Sequence, residues 1–388
     1  MKKIEPSGKI IWDKLLGLES NDIVILNDNV QSYDFIFKRI VDVISEKKPK
    51  EIIINYPTEC DVKWLHDSFY PIPLSVLNDV SVNLKEYQFT ITKEFLDLEK
   101  ILVENDVKCY LILGSDKPDH LKYFYNESTK IKNFEILFWP TYLIWHTYNG
   151  LRDLLYPQIK DIYSNVIDYK IDKKFDNLFI NYNNKPRLHR CMFLDELYIR
   201  EFFKYGRISW NKLTTSDPYI VSDISGVYNY TFKNWKEEIL NIDGYSDVEN
   251  KVFCDEYSSN LIHSNALIEV VSETSKEVTF ITEKTFRPIF LEQPFICLGA
   301  INQNTDLIKY GFELYDEIFD YSFDTNPDLN VRINGVIENL NKIKDSNYYE
   351  IYNLLEPKIK RNKDRIFEIL ENDTFNPYIP FYNKYIKN

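Results

Sequence analysis

Glycine is scarce in this chain of 388 residues, at 10, and neither G-x-G-x-x-G nor a Walker-type G-x-x-x-x-G-K-[ST] run occurs. The usual dinucleotide and P-loop fingerprints are therefore excluded. The five cysteines, Cys60, Cys109, Cys191, Cys254 and Cys297, are scattered without a C-x-x-C. That argues against a zinc site or a disulfide framework and makes them small core residues. No apolar run approaches the ~18 residues a membrane span needs. The opening MKKIEPSGKI lacks the apolar segment of a signal peptide, so a cytoplasmic location is expected. Net positive charge is also missing. At −13, the chain is unsuited to coating nucleic acid, although a local basic groove stays open. No repeat or low-complexity segment stands out.

What is present is apolar material for more than one core: 44% hydrophobic and 15% aromatic residues over a length that exceeds one ordinary domain. Buried-strand runs alternate with helical spacing. DIVILND (22–28), EIIINYP (51–57), KCYLILG (108–114) and FEILFWP (134–140) read as strands. Between the first two, Phe35, Ile36, Ile40, Val43 and Ile44 share a helical face. After an aromatic connector the pattern resumes with NLFINYN (177–183), a helix opened by Pro186, ALIEVVSE (266–273) and PFICLGA (294–300). The expected fold class is α/β: two Rossmann-like, doubly wound domains facing a cleft, with a helical tail. The expected boundaries are 1–165, 166–332 and 333–388, the last packing back across both domains. In such sheets ligands sit at the carboxyl ends of the strands.

Cations gather where they are least expected. In FITEKTFRPIFLEQPFICLG (280–299), Thr282 is a candidate N-cap, and Glu283, Lys284 and Arg287 fall in the first turns of a helix that Pro288 interrupts. Cationic side chains there oppose the helix dipole by roughly 0.3–1 kcal/mol each. A bound diphosphate would reverse that balance, using the free N–H groups as well. Glu283 beside them suits ribose hydroxyls. The plainer reading is a Glu–Lys pair on a solvated helix. The second junction, NNKPRLHR (183–190), repeats the logic with Lys185, Arg187 and Arg190. Arginine suits bidentate phosphate contacts, and one of the two is free to tie down a loop instead. His189 beside them reads as structural. Ser272 and Glu273 end a buried strand at the same predicted edge.

These segments resemble the donor-binding motif of glycosyltransferases with the GT-B fold. The TEKTFRP stretch is similar to the Thr-Glu-Lys segment of the α1,3-fucosyltransferase family. The pair NNKPRLHR and SETSKEVTFITEKTFRP is more similar still to viral and bacterial proteins of glycosyltransferase type. The motifs cover roughly 177–300. The resemblance implies that Lys284 and Arg187 or Arg190 hold a donor diphosphate, that Glu283 holds the ribose, and that Glu273 lines the pocket. Where fucosyltransferases carry an aliphatic residue after Glu-Lys, this chain has Thr285, followed by Phe286 and Arg287. The nucleotide, GDP or UDP, is left open by that departure.

A departing sugar diphosphate develops negative charge, which a metal or fixed cations and helix N-termini must stabilise. No two aspartates are one residue apart, so the Asp-x-Asp of metal-dependent transferases is missing, and the basic helix starts offer the metal-free solution. No cofactor beyond the nucleotide sugar is expected. Inverting transfer needs a general base from the first domain. Glu59, just past EIIINYP, is the first candidate and Asp116, just past KCYLILG, the second. The acceptor is a hydroxyl of a glycan, protein or small molecule. Viral relatives of this broad type also offer a hydroxymethylated DNA base as the alternative, for which Lys47, Lys48 and Lys50 are a thin basic patch. A catalytically inactive binding module is the remaining alternative.

Overall fold

The structure is a computed structural model and describes residues 15, 21–26, 33–56, 91, 93–113, 127, 130–139, 144, 173–183, 187–208, 219–223, 226–232, 265–276, 279, 281–372 and 377–387. The chain divides into two compact units. One comprises Glu5–Leu143 and Ile369–Asn388, the other Met1–Ile4 and Ile144–Glu368.

In the first of these units, β1 (Ile23–Leu26), β2 (Glu51–Tyr56), β3 (Lys108–Leu113) and β4 (Phe134–Phe138) form a parallel sheet in chain order. Ile52, Ile53 and Ile54 are all buried. A run apolar at every position marks a strand covered on both faces. Helix α1 (Tyr33–Lys47) buries Ile40, Val43 and Ile44, and α2 (Lys93–Glu104) buries Phe95, Leu98 and Leu102. Both sets follow the i, i+3/i+4 spacing of one helical stripe. Phe95 meets Phe134 of β4 edge-on at 5.4 Å. The end of the chain belongs to this unit. Tyr378 donates to Asn55 of β2 and packs edge-on against Trp139, Phe381 packs on Tyr110, and Lys384 pairs with Glu51 at 2.7 Å.

The other unit is built on β5 (Asn177–Asn181), β6 (Gly206–Ile208), β9 (Ala266–Ser272) and β10 (Phe295–Leu298), all parallel and ordered β10-β9-β5-β6. A separate antiparallel pair, β7 (Tyr219–Asp223) and β8 (Gly226–Tyr230), has no counterpart in the expected pattern. All seven residues of β9 and all four of β10 are buried. Gly206 faces Phe179 in register, and a Cβ there would lie 2.3 Å from the Phe179 ring. Only glycine lets β6 join the sheet beside that ring. Helix α3 (Leu188–Ile199) buries Phe193, Leu194 and Leu197 and lies against β7 and β8, and helix α4 (Glu283–Phe290) packs on β9 and β10 and buries Phe286, Ile289 and Phe290. The long helices α5 (Leu329–Ile343) and α6 (Tyr348–Asn372) follow. Helix α3 does not begin at Pro186. Arg187, extended at φ −130° and ψ 150°, is its N-cap and Leu188 its first helical residue.

The fold class is thus α/β with two parallel sheets and helices between the strands. Cys109, Cys191 and Cys297 are buried thiols, and burial pushes Cys109 and Cys297 well above their usual range. No helix among the described residues is long and apolar enough to cross a membrane.

Candidate functional site

The strand order of the second sheet contains one reversal. From β5 the chain moves outward to β6, whereas from β9 it moves the opposite way to β10. The neighbouring strands β5 and β9 therefore flank a topological switch point, and the helices that follow them, α3 and α4, both start at its carboxyl edge. Ligands of open α/β sheets bind at such points.

Both helix starts are fastened to one residue. Glu273, the first residue after β9, is fully buried. Its carboxylate accepts from the Thr282 amide at 3.0 Å, the Thr282 hydroxyl at 2.7 Å, the Thr285 hydroxyl at 2.5 Å and the Thr274 amide at 3.2 Å. That set holds α4. Its carbonyl accepts from His189 Nε2 at 2.8 Å and from Arg190 Nη2 at 3.1 Å, and the same guanidinium reaches Ser272 O at 2.8 Å. Those bonds hold α3. A carbonyl only accepts, so Nε2 of His189 carries the hydrogen. Burial, reinforced by the Arg190 charge, holds this imidazole well below its ordinary pKa and keeps it neutral. Its Nδ1 has no hydrogen-bond partner among the described residues. Beneath this layer Asn181 Nδ2 donates to Val270 O at 2.6 Å and Ser272 Oγ at 3.0 Å, and Asn183 Nδ2 donates to Asn181 Oδ1 at 2.6 Å.

Thr282 is the N-cap of α4, as its place in the sequence predicts. Its Oγ1 accepts from the Lys284 amide at 3.3 Å. Pro288 lies inside the helix, which continues through it to Phe290. A proline there forfeits the one N–H that would reach Lys284 O, too little to stop the packed turn. Thr285, the departure from the fucosyltransferase pattern, has a local cause: its hydroxyl completes the shell around Glu273.

The cations at these two helix starts divide into two groups. Arg287 is 4% exposed, pairs with Glu269 of β9 and stacks 4.5 Å over the Tyr182 ring. Burial raises the Glu269 carboxyl above its usual range, and Arg287 pulls it back. Arg190 is 3% exposed and spent on the two carbonyls. Lys284 and Arg187 keep partial access to solvent, and Lys284 pairs with the buried Glu283 carboxylate. The structure thus gathers Arg187, Arg190, Glu273, Thr282, Glu283 and Lys284 at one sheet edge, while Arg287, a turn further along α4, pairs with the middle of β9. Glu59 and Asp116 lie outside the described residues. Among the described residues no group of three or more His, Cys, Asp and Glu side chains is arranged to hold a metal ion.

Sequence reasoning passed over Glu269, Asn181 and Arg332. Arg332 is buried in α5 and donates to Gly299 O, Lys276 O, Asn326 O and Pro327 O, which pins the segment after β9 to the end of β10. Glu269 carried a readable signal: an acid in the middle of a strand with no solvent face must find a cation.

No family model matches the chain, and neither does any curated protein. Among solved structures it is similar to a sucrose-phosphate synthase from Thermosynechococcus elongatus, at 12% identity and a TM-score of 0.37, over 90% of this chain and 76% of that one. A likeness this distant leaves the chemistry to be read from the site itself.

Proposed function

We propose that the protein is a glycosyltransferase that moves a sugar from a nucleotide diphosphate to a hydroxyl acceptor without a metal ion, with inversion, and that the switch point of the second sheet is its donor site. The observation that carries this reading is the meeting of two helix N-termini on Glu273, with Arg187 and Lys284 left partly accessible beside them. Two N-terminal dipole ends and two cations at one edge form a pre-set anion site. Such a site stabilises the charge that grows on a departing UDP or GDP. In this reading Lys284 and Arg187 touch the diphosphate. Arg190, Arg287, Glu273 and Thr282 hold the helices that present them. Glu59, or failing it Asp116, takes the acceptor proton. The acceptor is a glycan or small-molecule hydroxyl rather than hydroxymethylated DNA, because a net charge of −13 works against a phosphate backbone.

A thermal-shift panel of UDP, GDP, CMP, dTDP and ADP in EDTA, on wild type and Lys284→Ala, tests the donor site. One nucleotide should raise Tm selectively, and the variant should lose that shift; its own Tm should fall because Glu283 is left buried without the Lys284 cation, so the nucleotide-induced shift is the readout. No shift with any nucleotide would turn the reading toward an inactive binding module. Full turnover by Lys284→Ala would refute the donor assignment.

A further inference from the structure

Lys284 already has an anion. Its ammonium pairs with the carboxylate of the preceding residue, Glu283, and lies 3.4 Å from Thr282 Oγ1. Consecutive residues of a helix do not face each other, so this contact requires the lysine stem to fold back along the first turn. Glu283 is fully buried whereas the Lys284 side chain keeps 18% of its exposure. A buried carboxylate is costly without its cation, and a cation at a helix start is disfavoured without an anion. Each side chain therefore supplies what the other lacks, and the charge Lys284 brings to the start of α4 is already matched when no ligand is bound.

An incoming anion must compete with Glu283 for the ammonium. A single phosphate brings little more charge than the carboxylate it would displace. A diphosphate brings more, and on the donor-site reading it engages Arg187 as well. We propose that Glu283 sets a charge threshold at this site: it holds Lys284 in the empty protein and yields it to a diphosphate but not to a lone phosphate. This inference rests on the donor-site reading above and adds a specificity-determining role that the reading does not require.

The test uses inorganic phosphate and inorganic pyrophosphate as probes, titrated calorimetrically into the full chain. The proteins are wild type, Glu283→Gln, Glu283→Asp and the double variant Glu283→Gln/Lys284→Ala. Wild type should bind pyrophosphate and ignore phosphate. Glu283→Gln keeps the shape of the side chain and frees the ammonium. It should gain phosphate binding by roughly tenfold, the ratio one part-buried charge pair of about 1.4 kcal/mol sets. The double variant should lose that gain. Glu283→Asp retracts the carboxylate by one methylene and keeps its charge, so it should gain in the same direction by less. It serves should the Gln variant not fold. If folded Glu283→Gln and Glu283→Asp bind phosphate no better than wild type, the threshold is refuted. Should wild type bind a nucleotide through Lys284 in that case, the donor site survives and only this inference falls. Should wild type bind neither nucleotide nor pyrophosphate, both fall together.

Discussion

Replacing Glu273 should loosen two helices at once. In Glu273→Ala the Thr282 amide, the Thr282 and Thr285 hydroxyls and the Thr274 amide lose their acceptor. Each orphaned buried donor costs about 1–3 kcal/mol. Thr274 is only part-buried, so water can serve its amide, and the two hydroxyls can rotate toward other acceptors. Removing the carboxylate also removes the penalty of burying it. The net cost should be about 3 kcal/mol, since no buried charge is left behind and the Thr282 amide is the buried donor that cannot turn to another acceptor. Glu273→Gln keeps one acceptor oxygen and the side-chain volume but turns a donor toward the threonine hydroxyls, for about 1–2 kcal/mol. The backbone carbonyl that binds His189 and Arg190 survives both changes, so α4 should suffer more than α3.

A single unfolding midpoint does not say which part of a chain of two compact units has been loosened. Native-state hydrogen exchange, read peptide by peptide, resolves the region concerned. A loss of about 3 kcal/mol corresponds to roughly a hundredfold faster exchange. Glu273→Ala should show that over residues 282–290, a smaller change over 187–199, and none over the strands of the other sheet. Thr285→Val, which removes one of the four donors, should show a fraction of it. Unchanged exchange over α4 together with lost nucleotide binding would mean that Glu273 acts on ligand and is not a brace.

Two further outcomes follow from the charges. Arg190→Gln strips the bonds to Ser272 O and Glu273 O and should cost about 2 kcal/mol of stability; Arg187→Gln should weaken nucleotide binding about tenfold or more, both readable in one thermal-shift series with and without nucleotide. Lys173 donates to Leu291 O at 3.0 Å, capping the C-terminal end of α4, and burial lowers its pKa from 10.5 to about 8 against the opposing pull of Glu292. A folded pKa below the unfolded one means the unfolded chain holds more protons between about pH 8 and 10.5, so stability rises with pH across that window. Allowing for screening of a side chain that keeps some exposure, the rise is about 1–2 kcal/mol. Lys173→Met should flatten it in a Tm series from pH 7.5 to 10, and an equal slope in the variant would refute the assignment.

Seven of the eight strands in the two parallel sheets were legible because each is a mostly apolar run, as a strand covered on both faces tends to be. Whereas α3 and α4 are buried on nearly every side and show no single stripe, helices α1 and α2 were legible from one buried stripe each, such as Phe95, Leu98 and Leu102. β6 was not, since three residues, Gly206–Ile208, give no periodicity, and its place depends on the missing side chain opposite Phe179. The antiparallel pair β7 and β8 escaped notice although YIVSD and GVYNY are separated by two residues only. At the site, local spacing revealed that cations cluster at two helix starts and that Thr282 caps one of them. It did not reveal which cations are consumed inside the protein. The partners that consume them, Glu269 for Arg287 and the Ser272 and Glu273 carbonyls for Arg190, lie 18 and more than 80 residues away. Sequence spacing along one helix carries no trace of a contact made across the sheet.

That division has a physical logic. All the cations at these helix starts oppose a dipole, and a fold that had to tolerate several of them unneutralised would sacrifice stability at the place it needs rigidity. Here Arg287 and Arg190 are turned inward and matched, one to a carboxylate and one to carbonyls. Each also ties a helix to β9, so the residues that would repel one another become the cross-links that fix the site. Lys284 is matched too, but by a neighbour on its own turn and with 18% of its side chain still exposed. Arg187 stands at the N-cap itself without a side-chain capping bond. On the proposed donor-site reading, rigid inner arginines and exchangeable outer cations are what the site requires to be preformed and still open: the geometry would be held by groups the ligand does not touch, and the charge offered by groups whose present partners it replaces.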